Sequence, residues 1–127
     1  MAIHQEIRIK STPDKIYRAL TSEAEFSKFT GYPAEFETGD GGGFTCFGGQ
    51  ITGRTVEKVE NKRLLQDWRV ELWPEGLYST VSFTLEQEGE DTVITLDHSG
   101  YPEDAVRHLD AGWHNMYWDP LKQYLEK

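Results

Sequence analysis

Residues 103–126, EDAVRHLDAGWHNMYWDPLKQYLE, decide the fold. Their apolar side chains recur every three or four positions, which is the period of a helix that buries one face. Glu103 and Asp104 at the start and Lys122 near the end suit the helix dipole. We predict an amphipathic C-terminal helix with a kink or interruption at Pro120, which cannot donate a backbone hydrogen bond. The apolar stripe comprises Val106, Leu109, Trp113, Met116, Tyr117, Leu121 and Tyr124.

Upstream of this helix the apolar period changes to two, which is typical of strands with one buried face. Residues 3–9 alternate apolar and polar side chains and predict a first strand. Residues 34–100 contain about six similar runs separated by turn residues, and they predict consecutive hairpins. The predicted turns lie at residues 39–43, 48–49, 61–62, 73–76 and 87–91.

Between the first strand and the hairpins the sequence predicts one or two short helices. Pro13 suits the first position of a helix, and apolar residues follow it at helical spacing, so the first helix covers roughly residues 13–22. A second short helix would hold Phe26 and Phe29 and end at Gly31.

These elements together predict the fold class. Strands joined by short turns pair antiparallel, and the resulting sheet must bury one face. The C-terminal helix is the only predicted element long enough to cover that face. We predict an α+β fold in which a curved antiparallel sheet of six to seven strands wraps around the long C-terminal helix. The chain length of 127 residues predicts a single domain over residues 1–127.

Composition limits which binding partners and which cellular compartment we expect. The formal net charge of −9 repels phosphate backbones and anionic lipid surfaces, so neither nucleic acid nor membrane is an expected partner. The single cysteine, Cys46, cannot form an internal disulfide. The opening residues are too polar for a secretory signal. We therefore predict a cytoplasmic protein.

The predicted inner face of the sheet and the facing side of the helix are rich in aromatic residues. One interpretation is a cavity for a small lipophilic ligand, and the other is a filled aromatic core. Gln5, Gln66 and His98 also have inward parity, and a filled core must give each of them a hydrogen-bond partner. The candidate cavity residues are Trp68, Phe83, Leu96, His98, Trp113, Met116 and Tyr117.

The sequence contains no recognisable catalytic or metal-binding constellation. His98 is the one candidate general base, but its neighbour Asp97 has the opposite parity in the strand. His108 and His114 are six residues apart and therefore lie on different helix faces, which disfavours a metal site. Cys46 has no neighbouring cation that would activate its thiol. We predict no catalytic residue, no metal, no cofactor and no enzymatic activity.

Two tryptophans depart from the predicted buried stripes. Trp73 has outward parity at a turn, and Trp118 lies off the helical stripe. Exposed tryptophans often mark interaction surfaces, so the two residues are candidates for a partner-binding patch. The alternative for Trp73 is that its ring folds over an apolar edge of the sheet.

The order of elements resembles the helix-grip fold of START domains and of the major birch-pollen allergen. Short motifs between Ile7 and Tyr124 are similar to the C-terminal domain of the activators of heat-shock protein 90 (Hsp90) ATPase. The motifs are Gly42-Gly43-Phe44, Gly49-Gln50-Ile51-Thr52-Gly53, Trp68-Arg69, Trp73-Pro74-Glu75-Gly76 and Gly112-Trp113 near Tyr117.

This resemblance implies a non-enzymatic, co-chaperone-type module whose partner is Hsp90. Eukaryotic members of the family carry a separate N-terminal domain that does much of the stimulation, and 127 residues have no room for it. Some short relatives are thought to bind lipophilic molecules, so a carrier or sensor of such a ligand is the alternative. A polyketide-cyclase-like enzyme, which shares the fold, is the third and weakest hypothesis.

Overall fold

The computed structural model describes residues 2–36 and 43–126, so most of the predicted turn at residues 39–43 lies outside the described residues. The predicted order of strands and helices is confirmed. A π-helical turn, Trp113–Trp118, joins the last two helices, and 3₁₀ turns occupy Phe47–Gly49 and Glu103–Ala105. The main elements are β1 (Ala2–Ile9), α1 (Pro13–Thr21), α2 (Glu23–Thr30), β2 (Ala34–Phe36), β3 (Gly43–Cys46), β4 (Ile51–Val59), β5 (Arg63–Val70), β6 (Ser79–Glu88), β7 (Asp91–Ser99), α3 (Val106–Gly112) and α4 (Asp119–Leu125).

The strands form one antiparallel sheet with the order β1-β7-β6-β5-β4-β3-β2. Neighbouring strands from β2 to β7 are consecutive in the chain, and β1 joins the far edge by pairing with β7. A register shift between Thr55 and Glu57 marks a bulge in β4, which bends a strand locally. The inner face of this sheet packs against the C-terminal helix, so the protein has the helix-grip fold.

Gly53 shows how closely β4 approaches its neighbours. A Cβ atom at this position would lie 1.9 Å from the Asp67 carbonyl oxygen and 2.8 Å from Cζ of Phe44. Such contacts are far inside van der Waals distance, and one of them is to the backbone of β5. The sheet therefore admits only glycine at residue 53.

The two short predicted helices are both present. Ser22 begins α2, since its hydroxyl accepts a hydrogen bond from the Glu25 N–H at 3.4 Å. Gly31 ends the helix in the left-handed conformation, with a φ of 79°. Phe26 and Phe29 are buried, and α2 packs against β2 and α4.

The C-terminal helix absorbs Pro120 without a break in its helical backbone. In a regular α-helix the proline ring would press against the carbonyl group four residues earlier, that of Met116. The wider π-helical turn that precedes α4 relieves this conflict, and Trp118 and Asp119 keep right-handed helical angles. The predicted interruption is therefore a π turn. In the described part of the chain, no helix is both long and apolar enough to cross a membrane.

Candidate ligand cleft and interaction surface

An apolar cleft of about 390 Å³ opens between the C-terminal helix and the β4–β5 part of the sheet. Its volume lies in the range of about 300–1,000 Å³ that is usual for small-molecule sites. Ile51 of β4 and Val70 of β5 belong to the sheet wall, and Leu109 and Gly112 of α3 belong to the helix wall. The polar residues of the lining are Gln50, His108 and Asn115.

Four of the seven predicted cavity residues line this cleft, namely Trp68, Trp113, Met116 and Tyr117. Phe83, Leu96 and His98 do not line it, because they are buried deeper in the core. Trp113, which lines the cleft, packs against two of them, with ring centroids 5.6 Å from Phe83 and 5.7 Å from His98. Ligand binding by the four lining residues stays a prediction.

The indole rings form a column through the molecule. Trp68 stacks on Trp113 with centroids 4.9 Å apart, and Trp113 stacks on Trp118 at 5.8 Å. Stacked aromatic pairs contribute about 0.5–1.5 kcal/mol beyond the burial of their area. This column ties β5 to the C-terminal helix, and two of its members, Trp68 and Trp113, line the cleft.

His98 is locked into a hydrogen-bond chain beside this column. The Trp113 indole N–H donates to His98 Nδ1 at 3.2 Å, so the neutral ring carries its proton on Nε2. That N–H donates to Ser79 Oγ at 2.7 Å, and the Ser79 hydroxyl donates to the Trp68 carbonyl at 3.5 Å. Burial lowers the pKa of His98 to about 4. The imidazole is therefore neutral at pH 7, and neither nitrogen is free to act as a general base.

The other inward polar residues also have protein partners. Gln5 accepts a hydrogen bond from the Trp118 indole at 2.8 Å and donates to the Asp110 carboxylate at 2.9 Å. Gln66 accepts one from the Trp68 indole at 3.3 Å. These polar groups therefore give no support to a liganded cavity, whose case rests on the volume and lining of the cleft.

The Cys46 thiol is buried and lies beside the Tyr117 hydroxyl. Burial raises the pKa of the Cys46 thiol to about 12 and holds that of the neighbouring Tyr117 hydroxyl well above its usual value. A thiol in this state is a poor nucleophile. Within residues 2–36 and 43–126, no three His, Cys, Asp or Glu side chains are grouped so as to hold a metal ion.

The predicted partner patch of Trp73 and Trp118 does not exist as such. The prediction that Trp118 lies at the surface is wrong, since its side chain is only 1% exposed. In an α-helix it would point about 140° away from Trp113, but the π turn brings residues five apart close to one face. Trp73 is half-buried and packs against the core, as the alternative interpretation proposed.

The exposed apolar residue beside Trp73 is Leu72, which the sequence analysis missed as a candidate. Its side chain is 93% exposed. Arg69 holds the turn that follows, since its guanidinium donates to the carbonyl groups of Trp73 at 2.9 Å and of Pro74. The sequence signal that could have drawn attention to this surface was an arginine a few residues before the Trp-Pro-Glu-Gly turn.

The sheet order, the gripped helix and the apolar cleft define the class: a helix-grip protein. The chain belongs to the family described as activator of Hsp90 ATPase homolog 1-like proteins, whose family model matches residues 10–126. This match confirms the family resemblance drawn from the sequence motifs.

Individual relatives agree with this membership. "Activator of 90 kDa heat shock protein ATPase homolog 1" of Mus musculus is 29% identical over 113 residues, 89% of this chain and 33% of that protein. Homolog 2 of Mus musculus is 30% identical over 126 residues, 99% of this chain and 38% of that protein. The chain thus spans about a third of the length of these curated relatives.

The fold recurs in a solved structure. An HSP90 activator from Plasmodium falciparum superposes with a TM-score of 0.92 over 98% of this chain and 95% of that chain. The sequences are 21% identical, so this likeness is one of fold.

Proposed function

We propose that this chain is a non-enzymatic, co-chaperone-type module that binds Hsp90 in the cytoplasm through its surface. The observation that carries the proposal is the family match over residues 10–126, together with relatives named as activators of this ATPase. The state of His98 and Cys46 supports a non-enzymatic role, because one is hydrogen-bonded at both nitrogens and the other is a buried thiol.

The proposal concerns binding first and stimulation second. The chain corresponds to about a third of each curated relative, so the activity of the whole relative need not reside in this part. A single titration of Hsp90 from the same organism tests both properties. Calorimetry reports binding, and the rate of ATP hydrolysis by the chaperone reports stimulation.

We expect saturable heat of binding at micromolar concentrations of the chaperone. An unrelated protein of similar size and similar negative charge serves as the control, since it reveals attraction that depends on net charge alone. Absence of binding at high micromolar concentration would contradict the proposal. Binding without a change in ATP hydrolysis would support a docking role and exclude stimulation by this chain alone.

The cleft favours a second candidate function, the carriage or sensing of a small lipophilic molecule. Gly112 supports this candidate. Its φ of −61° and ψ of −37° suit any residue, so the backbone conformation does not require glycine. A Cβ atom there would meet nothing within 4 Å, so crowding does not require glycine either. The missing side chain leaves the cleft wide, beside aromatic lining residues that suit an apolar ligand.

A cleft-filling variant tests this second candidate. Gly112→Leu places a side chain into the open volume, and His114→Leu adds the same side chain at an exposed helical position outside the lining. We expect Nile red, a neutral lipophilic probe, to bind the wild type and His114→Leu but not Gly112→Leu. Native mass spectrometry of the freshly purified protein should detect a bound molecule. Equal probe binding by all three proteins would argue against the cleft.

A further inference from the structure

The loop between β5 and β6, residues 71–78, presents exposed apolar side chains at one end of the sheet. Leu72 has the largest exposed fraction, 93%, of the exposed large hydrophobic residues in the described part of the chain. Tyr78 at the other end of the loop is 53% exposed. Large apolar groups that stay in water on a folded protein mark interaction surfaces when they occur together.

Internal hydrogen bonds hold this loop in place. Besides the bonds to Trp73 and Pro74, the Arg69 guanidinium lies 3.4 Å from the Leu77 carbonyl. The backbone N–H of Glu71 donates to the Gln50 carbonyl at 2.8 Å, which anchors the start of the loop to the residue that precedes β4. A loop ordered before binding loses little conformational entropy when a partner docks.

The charges around the loop define the partner that would fit it. The positive charge of Arg69 faces the carbonyl groups of the turn, whereas Glu71 and Glu75 are exposed on either side of Leu72 along the chain. The whole chain carries a net charge of −9. Electrostatic complementarity therefore favours a partner surface with lysine or arginine around an apolar depression.

The loop also continues the wall of the cleft. Val70, the last residue of β5, lines the cleft, and Trp73 packs against the core directly after Leu72. A partner seated on the loop would therefore lie next to the mouth of the cleft. It would have no need to enter the cleft itself.

We infer that residues 71–78 are the docking surface of this chain for its protein partner, with Leu72 and Tyr78 inserted into an apolar depression rimmed by basic side chains. This inference rests on the proposed function, because the partner used to test it is Hsp90. The inferred surface contains Trp73 but none of the other site residues predicted from the sequence.

Substitution of the apolar contact gives the first test. Leu72→Ser should weaken binding of Hsp90, measured by calorimetry, by about tenfold or more, because the depression would then receive a polar side chain. Val59→Ser is the matched control, since Val59 is 44% exposed and lies at the opposite end of the β4–β5 hairpin. The control should bind within about twofold of the wild type.

Reversal of the charge gives the second test. Glu75→Lys should slow association with Hsp90 by several-fold and reduce its dependence on salt, since the basic rim would now be repelled. Glu90→Lys makes the same change in net charge at the exposed β6–β7 turn, at the other end of the sheet. This control should keep the association rate close to that of the wild type.

The outcomes separate the inference from the proposed function. If the wild type does not bind Hsp90, the proposed function fails and the inferred partner fails with it. If the wild type binds and Leu72→Ser binds equally well, the proposed function stands and the inference is overturned. If Leu72→Ser binds normally but lowers self-association in sedimentation, the loop contacts a second copy and the inference is again overturned.

Discussion

On one side of the C-terminal helix, Trp118 and Trp113 stack above Phe83 and His98, and the space is filled. On the other side, a cleft of about 390 Å³ opens between the helix and strands β4 and β5. We call these the packed side and the open side. The same helix thus serves as a core element on one side and as the wall of a candidate site on the other.

The difference follows from the side chains that the helix presents. Toward the open side, α3 presents Ala111 and Gly112 beside Leu109, and these two small residues leave space between the helix and the sheet. Toward the packed side, the π turn directs two indole rings into the core, and Gln5 and His98 accept their N–H groups. Side-chain size and hydrogen-bond satisfaction, both set by a few residues, decide where the molecule is closed.

The largest expected effect is a loss of stability on the packed side. Trp118→Ala should lower the free energy of unfolding by about 3–5 kcal/mol, because it leaves a cavity and removes the indole donor to Gln5. Met116→Ala, on the half-buried wall of the open side, should lower it by less than about 2 kcal/mol. Urea denaturation measures both. Equal losses would show that the two sides do not differ in packing.

The next effect concerns pH. The pKa of His98 falls from an ordinary value of 6.5 to about 4 in the folded state, so the unfolded chain binds more protons between these values. The free energy of unfolding should therefore rise with pH across this window, and roughly 3 kcal/mol should be lost as pH falls from 6.5 to 4. Urea denaturation at several pH values measures the slope.

Two further observations check the origin of this slope. His98→Gln cannot titrate, so the variant should show a flatter dependence on pH than the wild type. His4, on the exposed outer face of the sheet, acts in the opposite direction, because Asp97 raises its pKa. Its contribution is present at low pH and is lost as pH rises through its folded pKa. An unchanged slope in His98→Gln would mean that other groups dominate.

The smallest expected effect is a change in stability on the open side. Gly112→Ala should raise the free energy of unfolding by about 0.5–1 kcal/mol, since alanine is the better helix former and its methyl group meets open space. Gly53→Ala is the contrasting change, and it should destabilise the sheet strongly, since its Cβ would collide with the β5 backbone. Thermal unfolding of the two variants compares them. Destabilisation by Gly112→Ala would show that the cleft wall tolerates no addition.

The prediction from sequence was accurate where local patterns control the structure. Alternation of apolar residues located the strands, Gly31 marked the end of the second helix, and short turns imposed antiparallel neighbours. The candidate site was located in part. Parity and helical spacing identified which side chains point inward, but they could not tell which of these lie at the surface of the cleft and which lie deeper in the core.

By itself, the sequence determined the helix-grip order of elements, because hydrophobic period and turn residues are local properties. Only the tertiary structure decided the burial of Trp118, since the π turn before Pro120 rotates that side chain into the core. It also decided the partners of Gln5, which come from residues more than 100 positions away. Local sequence patterns do not specify such distant contacts, because these contacts depend on how the helix packs on the sheet.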